Sequence, residues 1–379
     1  LKLDIKQQQT LPQPKVKILI SGGGTGGHIF PALAIANALK QKCDADILFV
    51  GALGRMEMKK IPEAGYQIEG LWISGIQRRI TLKNILFPFK VIFSMAQALL
   101  IINKFKPDIA VGVGGYASGP ALKVASKKGV PTVLQEQNSY PGITNKLLSK
   151  SANKICVAYE GMEKYFPKEK ILITGNPVRK EIVELKGKRK DAISYFQLNQ
   201  EKATLLVIGG SQGALSINES IRLNIELITS KDVQIIWQTG EKYYNTARNI
   251  IEQQQTTQIK VHAFIQRMDY AYAAADLVVS RAGASAISEL CAVKKPTIFV
   301  PFPHAAEDHQ TKNAMALVKK NAALMVRDSE ANERIGNLII NLIEETKQRS
   351  LLATNIAKLA HINAADVIAE QILKIVKKQ

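Results

Sequence analysis

Residues 16–39 read VKILISGGGTGGHIFPALAIANAL. Val16–Ile20 is a β-rich run, Ser21–Gly27 a glycine loop, and Ala32–Leu39 repeats its apolar residues at helical spacing. Strand, glycine loop and helix in that order open a doubly wound α/β unit. Downstream, Ile47–Val50, Ile109–Val113, Thr132–Leu134, Ile155–Ala158 and Ile171–Thr174 read as further strands with helical segments between them. The alternation implies a parallel sheet covered on both faces by helices.

The pattern starts again after Pro177. Leu205–Ile208 is a strand, Gly209–Gly213 (GGSQG) a loop, and a helix follows from Ala214. Val233–Gln238, Ile259–Ala263, Leu277–Ser280 and Thr297–Val300 continue a second sheet. A chain of 379 residues is too long for one ordinary domain, and two tandem α/β units account for it. Residues 1–14 are expected to form a polar, disordered lead-in without the apolar core of a signal peptide. Residues 15–177 form the first unit and 178–359 the second. The stretch from Ser350 to Lys377 reads as amphipathic helix.

Hydrophobic residues at 46% and charged residues at 22% describe a cored globular protein and exclude a disordered one. The net charge of +19 calls for a polyanionic partner, either nucleic acid or an acidic membrane surface. Residues 1–180 hold 26 basic and 11 acidic side chains, against 25 and 21 in the remainder, so the basicity belongs to the first half. Cys43, Cys156 and Cys291 lie too far apart for a disulfide framework or a zinc knuckle and are expected to be reduced structural thiols of a cytosolic protein.

Gly22–Gly27 satisfies G-x-G-x-x-G, a weak signal alone. A dinucleotide site also needs an acid at the end of the second strand, and Phe49-Val50-Gly51-Ala52 supplies none; no Lys-Ser/Thr follows for a Walker loop. What remains is a loop whose N–H groups suit an oxyanion or diphosphate at a helix N-terminus, or else a tight structural turn. His28 follows it directly, as a base, a donor or simply a capping residue. Gly209–Gly213 repeats the anion cradle, with Ser211 and Gln212 as side-chain donors, or else is again a structural turn. In Leu277–Leu290 (LVVSRAGASAISEL), small residues open the way to a helix N-terminus, and Glu289 is placed to accept a ribose diol or to complement the dipole. His304, Asp308, His309, Gln310 and Asn313 crowd the mouth of the second sheet; their spacing suits sugar hydroxyls and not a metal. Gln135–Asn138 and Gly175–Arg179 would face an interdomain cleft, with Arg179 pairing a phosphate or a carboxylate across the hinge.

Ile85–Ile102 (ILFPFKVIFSMAQALLII) is apolar but interrupted by Pro88, Lys90 and Gln97, and flanked by Arg78, Arg79, Lys83, Lys104 and Lys106. That pattern disfavours a spanning helix and suits an interfacial one on anionic lipid, or a core helix with solvated flanks.

The strings GGGTGGHIFPALAIA, GVGGYASGP, QEQNSYPGITNKLLS, GNPVR, GGSQGA, SRAGASAISE and PFPHAAEDHQTKNA together resemble one family. It is the MurG family of N-acetylglucosaminyltransferases in glycosyltransferase family 28, and the resemblance covers roughly residues 15–375. It implies a GT-B fold, two Rossmann-like doubly wound parallel-sheet domains facing a cleft, with a C-terminal helix of about 360–379 packing back on the first. It implies inverting transfer of N-acetylglucosamine from UDP-GlcNAc to lipid I, giving lipid II for peptidoglycan. The donor contacts carried over by motif are Thr25, Gly26, Gly27, Asn138, Arg179, Ser211, Ile265, Ala284, Ser285, Ala286, Ile287, Ser288, Glu289 and Gln310. Ile265 would meet the uracil through its backbone, and Glu289 the ribose. The family's usual His-Glu-Gln-Asn is Gln135-Glu136-Gln137-Asn138 here, so no role for that His carries over. His28 and Glu136 are the candidate catalytic bases.

No cofactor is required, and divalent-metal stimulation is compatible with the sequence. The implied partners are the lipid acceptor, the anionic cytoplasmic leaflet of the inner membrane, and cell-wall synthesis and division proteins. A nucleotide-cofactor oxidoreductase lacks its strand-end acid, and a nucleic-acid binder lacks any recognisable module. A GT-B enzyme acting on another lipid, such as diacylglycerol, is the nearest alternative.

Overall fold

The computed structural model describes residues 15–75, 87–210, 212–305 and 308–378. The expected lead-in 1–14, Ser211, Ile85 and the basic residues Arg78, Arg79 and Lys83 lie outside the described residues.

The first sheet has seven strands: β1 (Val16–Ser21), β2 (Ala45–Ala52), β3 (Gln67–Leu71), β4 (Ile109–Gly112), β5 (Thr132–Glu136), β6 (Lys154–Val157) and β7 (Ile171–Ile173). Their spatial order is β3-β2-β1-β4-β5-β6-β7, every pairing parallel. The second sheet comprises β8 (Ala203–Ile208), β9 (Val233–Gln238), β10 (Ile259–His262), β11 (Leu277–Ser280), β12 (Thr297–Phe299) and β13 (Leu324–Met325). Its order, β10-β9-β8-β11-β12-β13, is also all parallel and repeats the winding of the first. Strand order reverses at β1/β4 and again at β8/β11, and the crevice beyond the strand ends at such a point is where α/β sheets hold ligands.

The central strands are apolar throughout because both faces are covered. Leu205 and Val207 of β8 join one buried cluster, Leu206 and Ile208 the other, as period-two alternation requires. Likewise Ile18 and Ile20 of β1 pack on one side and Leu19 on the other.

Two strands had no sequence signature. β3, QIEGL, is an edge strand with Gln67 and Glu69 exposed, so it carries no apolar run. β13 is only two residues long.

The single helix expected over Ser350–Lys377 is two helices, Thr346–Ala357 and Ala364–Val376. The break has a packing cause. Leu352 and Ile356 bury in the second domain, whereas Ala365, Ile368, Ala369 and Ile372 bury against Ile29, Ala32 and Ile35 of the first helix, Gly26–Lys42. One straight helix cannot serve both faces. The chain therefore crosses between the domains twice, at 174–179 and at 358–363, and the crossings touch. A Cβ added to Gly175, whose φ is +76°, would lie 2.1 Å from the Cβ of His361. Gly175→Ala should therefore destabilise the chain by about 2 kcal/mol through strain and overlap together. Urea unfolding checks this, and an unchanged midpoint would refute the packing of the crossings.

Candidate active site

Two helices point their N-termini into the space between the sheets. Gly26–Lys42 follows β1, and Ala284–Ala292 follows β11. Neither has an acidic residue in its first turn, and neither N-cap residue, Thr25 or Gly283, makes a side-chain capping bond. The His28 N–H turns back to the Thr25 carbonyl at 3.1 Å, but the N–H groups that open each helix have no partner within it, so each end carries partial positive charge that an anion can meet. The two ends approach closely: a Cβ added to Gly27 would lie 3.8 Å from Ser285 Oγ. Small residues at Gly26, Gly27, Ala284, Ser285 and Ala286 make this approach possible. Ile287, behind them, is buried in the second-domain core.

In the first domain, the glycine loop is less open than its sequence suggests. The N–H of Gly24 donates to Glu57 Oε2 at 2.8 Å, so it is not free for a ligand. The other oxygen of Glu57 accepts the N–H of Ala52 at 3.1 Å. An acid does sit beneath the loop, then, but it arrives on the helix Glu57–Glu63 and not at the end of β2. A strand-end search misses it for that reason. His28, half-buried, has Nδ1 3.3 Å from Thr25 Oγ1. Burial pushes its pKa below the ordinary 6.5; a hydrogen bond with the Gly23 backbone and the charge of Glu57 oppose this, and His309 of the second domain reinforces it. The net effect favours the neutral ring, the form a base needs.

Glu136, the other candidate base, is buried, and burial raises its pKa. Its Oε1 accepts the N–H and side-chain amide of Asn138, and Oε2 accepts the Gly142 N–H and the Asn145 amide. Three donors from the following loop and one from the helix Ile143–Leu148 hold it, which orders residues 136–145. Beside it, buried amides form a chain. Gln135 Nε2 donates to Asn176 Oδ1 at 3.0 Å, and Asn176 Nδ2 donates to Gln137 O at 3.1 Å and to Ser288 Oγ at 3.0 Å. Ser139 donates through its N–H and hydroxyl to Asn313 Oδ1 at 3.2 and 2.8 Å. Both links tie the domains across the cleft.

Arg179 pairs with a carboxylate across the hinge. Its Nη2 is 3.4 Å from Glu289 Oε1, and its guanidinium lies 4.9 Å from the centre of the Phe30 ring. Glu289 Oε2 accepts the Tyr272 hydroxyl at 3.1 Å; burial, then the neighbouring carboxylate, holds that phenol well above its ordinary pKa. Ser288 Oγ donates back to Ala284 O. Ile265 is buried, and its N–H donates to Gln238 Oε1 at 2.9 Å, while Gln238 Nε2 donates to Gly210 O at 3.0 Å. Gln238 thereby joins the Ile265 segment to the Gly209–Gly213 loop, and the Ile265 N–H is already committed. Gln310 Oε1 accepts the Phe302 N–H at 3.0 Å.

Among the described residues, five buried side-chain polar atoms have no hydrogen-bond partner. Three of them, Arg179 Nε, Ser285 Oγ and Asn313 Nδ2, belong to residues of this cleft. Buried polar groups are ordinarily paired, so these three atoms are candidates to meet a polar ligand.

Two facing Rossmann-like domains, with an anion-seeking helix end from each, make a GT-B fold. Residues 18–157 match the glycosyltransferase family 28 N-terminal domain, and residues 204–372 its C-terminal domain. A protein of Flavobacterium psychrophilum named UDP-N-acetylglucosamine–N-acetylmuramyl-(pentapeptide) pyrophosphoryl-undecaprenol N-acetylglucosamine transferase is 51% identical over 364 residues, covering 96% of this chain and 98% of its own. A Parabacteroides distasonis protein of the same name is 52% identical over 96% of this chain and 100% of its own. The crystal structure of Acinetobacter baumannii MurG superposes with a TM-score of 0.75 at 26% identity, over 95% of this chain and 100% of that one. The chain belongs to glycosyltransferase family 28.

Proposed function

We propose that this chain transfers N-acetylglucosamine from UDP-GlcNAc to the C4 hydroxyl of MurNAc in lipid I, with inversion, to give lipid II. The observation that carries the reading is the pair of uncapped helix N-termini meeting at Gly27 and Ser285, inside a cleft whose relatives bear that enzyme's name.

In an inverting transfer the acceptor oxygen attacks the anomeric carbon as the bond to UDP breaks. The electron pair of that bond leaves on the diphosphate, and the hydroxyl proton needs a base. The charge of the diphosphate is met by the N–H groups at Gly26–Gly27 and Ala284–Ala286 and by Arg179. His28, neutral and beside the first of these ends, takes the proton. Asn138, Asn313 and Gln310 border the sugar; the Ile265 carbonyl and the Gly209–Gly213 loop border the uracil. Glu289, which now holds Arg179 and the Tyr272 hydroxyl among its partners, meets the ribose diol. No resident metal is assigned a part, and a divalent ion that stimulates turnover would act on the diphosphate itself.

The test is transfer of labelled N-acetylglucosamine onto a short-chain lipid I analogue, run beside diacylglycerol. Product on diacylglycerol alone would overturn the assignment of the acceptor.

The acceptor is a membrane lipid, and the helix Phe87–Phe105 suits a docking face on the anionic cytoplasmic leaflet. By length and composition it is apolar enough to cross a membrane. It buries only Ser94, Ala98 and Ile102, one stripe against the domain, and leaves Phe89, Ile92, Phe93 and Leu100 exposed. Trp72 packs edge-on against Phe93, and Lys90 lies 5.4 Å over the Trp72 ring. A helix held along one side while the other is apolar and rimmed by Lys90, Lys104 and Lys106 lies in an interface. The double variant Ile92→Ser, Leu100→Ser should bind vesicles containing anionic lipid about tenfold more weakly. Co-sedimentation reads this, and undiminished binding would remove the helix from the docking face.

A further inference from the structure

We propose that Glu57 is a positioning residue for the transfer, clamping the glycine loop behind His28 and setting a fixed negative charge against the imidazole. The inference rests on the reading of His28 as the base.

The geometry is specific. Glu57 is fully buried in the first turn of its helix. One carboxylate oxygen holds the Gly24 N–H and the other the Ala52 N–H, so a single side chain joins the loop after β1 to the end of β2. The carboxylate lies flat on the loop: a Cβ added to Gly23 would fall 2.2 Å from Oε1. Gly23 is the residue whose backbone hydrogen-bonds His28, so the clamp acts one residue from the imidazole's own anchor. A buried carboxylate is costly unless its acceptors are filled, and here backbone donors fill both oxygens.

Among the described residues, the charged or titratable groups that act on His28 are Glu57 from the first domain and His309 from the second. They pull in opposite directions, Glu57 favouring the protonated ring and His309 the neutral one. When the acceptor hydroxyl gives up its proton, the new imidazolium therefore forms toward a carboxylate that is already oriented. A fixed group of this kind stabilises developing charge without reorganising.

Glu57→Gln and Glu57→Asp in the full chain test this, with His28 titrated by NMR and lipid I transfer followed from about pH 5 to 9. Glu57→Gln should lower kcat about tenfold and move the His28 midpoint down by about half a unit or more. Glu57→Asp keeps the charge but draws it back from Gly24, so kcat falls while the midpoint moves less. A folded Glu57→Gln protein with parental kcat and midpoint overturns the inference. Should that variant fail to fold, Glu57→Asp decides, and a parental kcat there overturns it equally. Full turnover by a His28→Ala protein would instead sink the base reading, while a His28 midpoint displaced in Glu57→Gln would still report the clamp.

Discussion

His28→Ala should lose about a thousandfold in kcat while the KM for UDP-GlcNAc stays within about threefold. General base catalysis contributes roughly 10²–10⁴-fold, and a thousandfold corresponds to about 4 kcal/mol of transition-state stabilisation. A loss confined to kcat identifies an interaction made in the transition state and not in donor binding. His28→Gln sharpens the result, because it keeps a polar side chain beside Thr25 and Gly23 but has no basic nitrogen; it should be as inactive as the alanine variant. The pH dependence has a definite sign. Burial favours the neutral ring, so the acid limb of kcat/KM lies below the ordinary 6.5, with the rate full above it and falling as the ring gains its proton. Steady-state rates on a lipid I analogue check both statements. Near-parental turnover by either variant would remove His28 from the chemistry.

Arg179→Ala should raise the KM for UDP-GlcNAc about a hundredfold, near 2.7 kcal/mol, with a smaller change in kcat. The guanidinium does three things in one place. It stacks on Phe30, it reaches Glu289 of the second domain, and its Nε faces the cleft without a partner. Truncation removes the cation proposed to meet the diphosphate and takes away one of the partners of Glu289. Arg179→Lys should recover only part of the loss, because an ammonium cannot lie flat on Phe30 while serving two partners. Calorimetric titration with UDP-GlcNAc distinguishes the cases, and parental affinity in the alanine variant would contradict the role.

Both doubly wound units were legible in the sequence because their central strands are continuous apolar runs ending in glycine loops. A helix after the glycine loop and the small-residue run at Ala284 followed from the same logic, although the helix begins at Gly26, inside the stretch read as loop. The edge strand at Gln67 was not legible, since its polar residues are solvated. Glu57 escaped notice because helix and loop meet only in three dimensions. The same holds for the approach of His309 to His28, for Asn313 against Ser139, and for the Gln135–Asn176–Ser288 chain. Each joins segments far apart in sequence, and no local pattern encodes such a contact. The glycine loop shows the converse: its amides read as open, and the fold closes one of them with a side chain from elsewhere.

The paired crossings at Gly175 and His361 restrict how these domains can move. Two bodies joined by one linker can swing, twist and separate. Joined by two strands that touch, they keep essentially one freedom, rotation about a line through the contact. Opening and closing of the cleft would then follow an arc about that line. Asn176 and Arg179, next to the crossing, would move least, and separation of the Ser139–Asn313 pair would report how far the mouth has opened. A hinge of this kind would bring the two helix N-termini together along the same path at each closure.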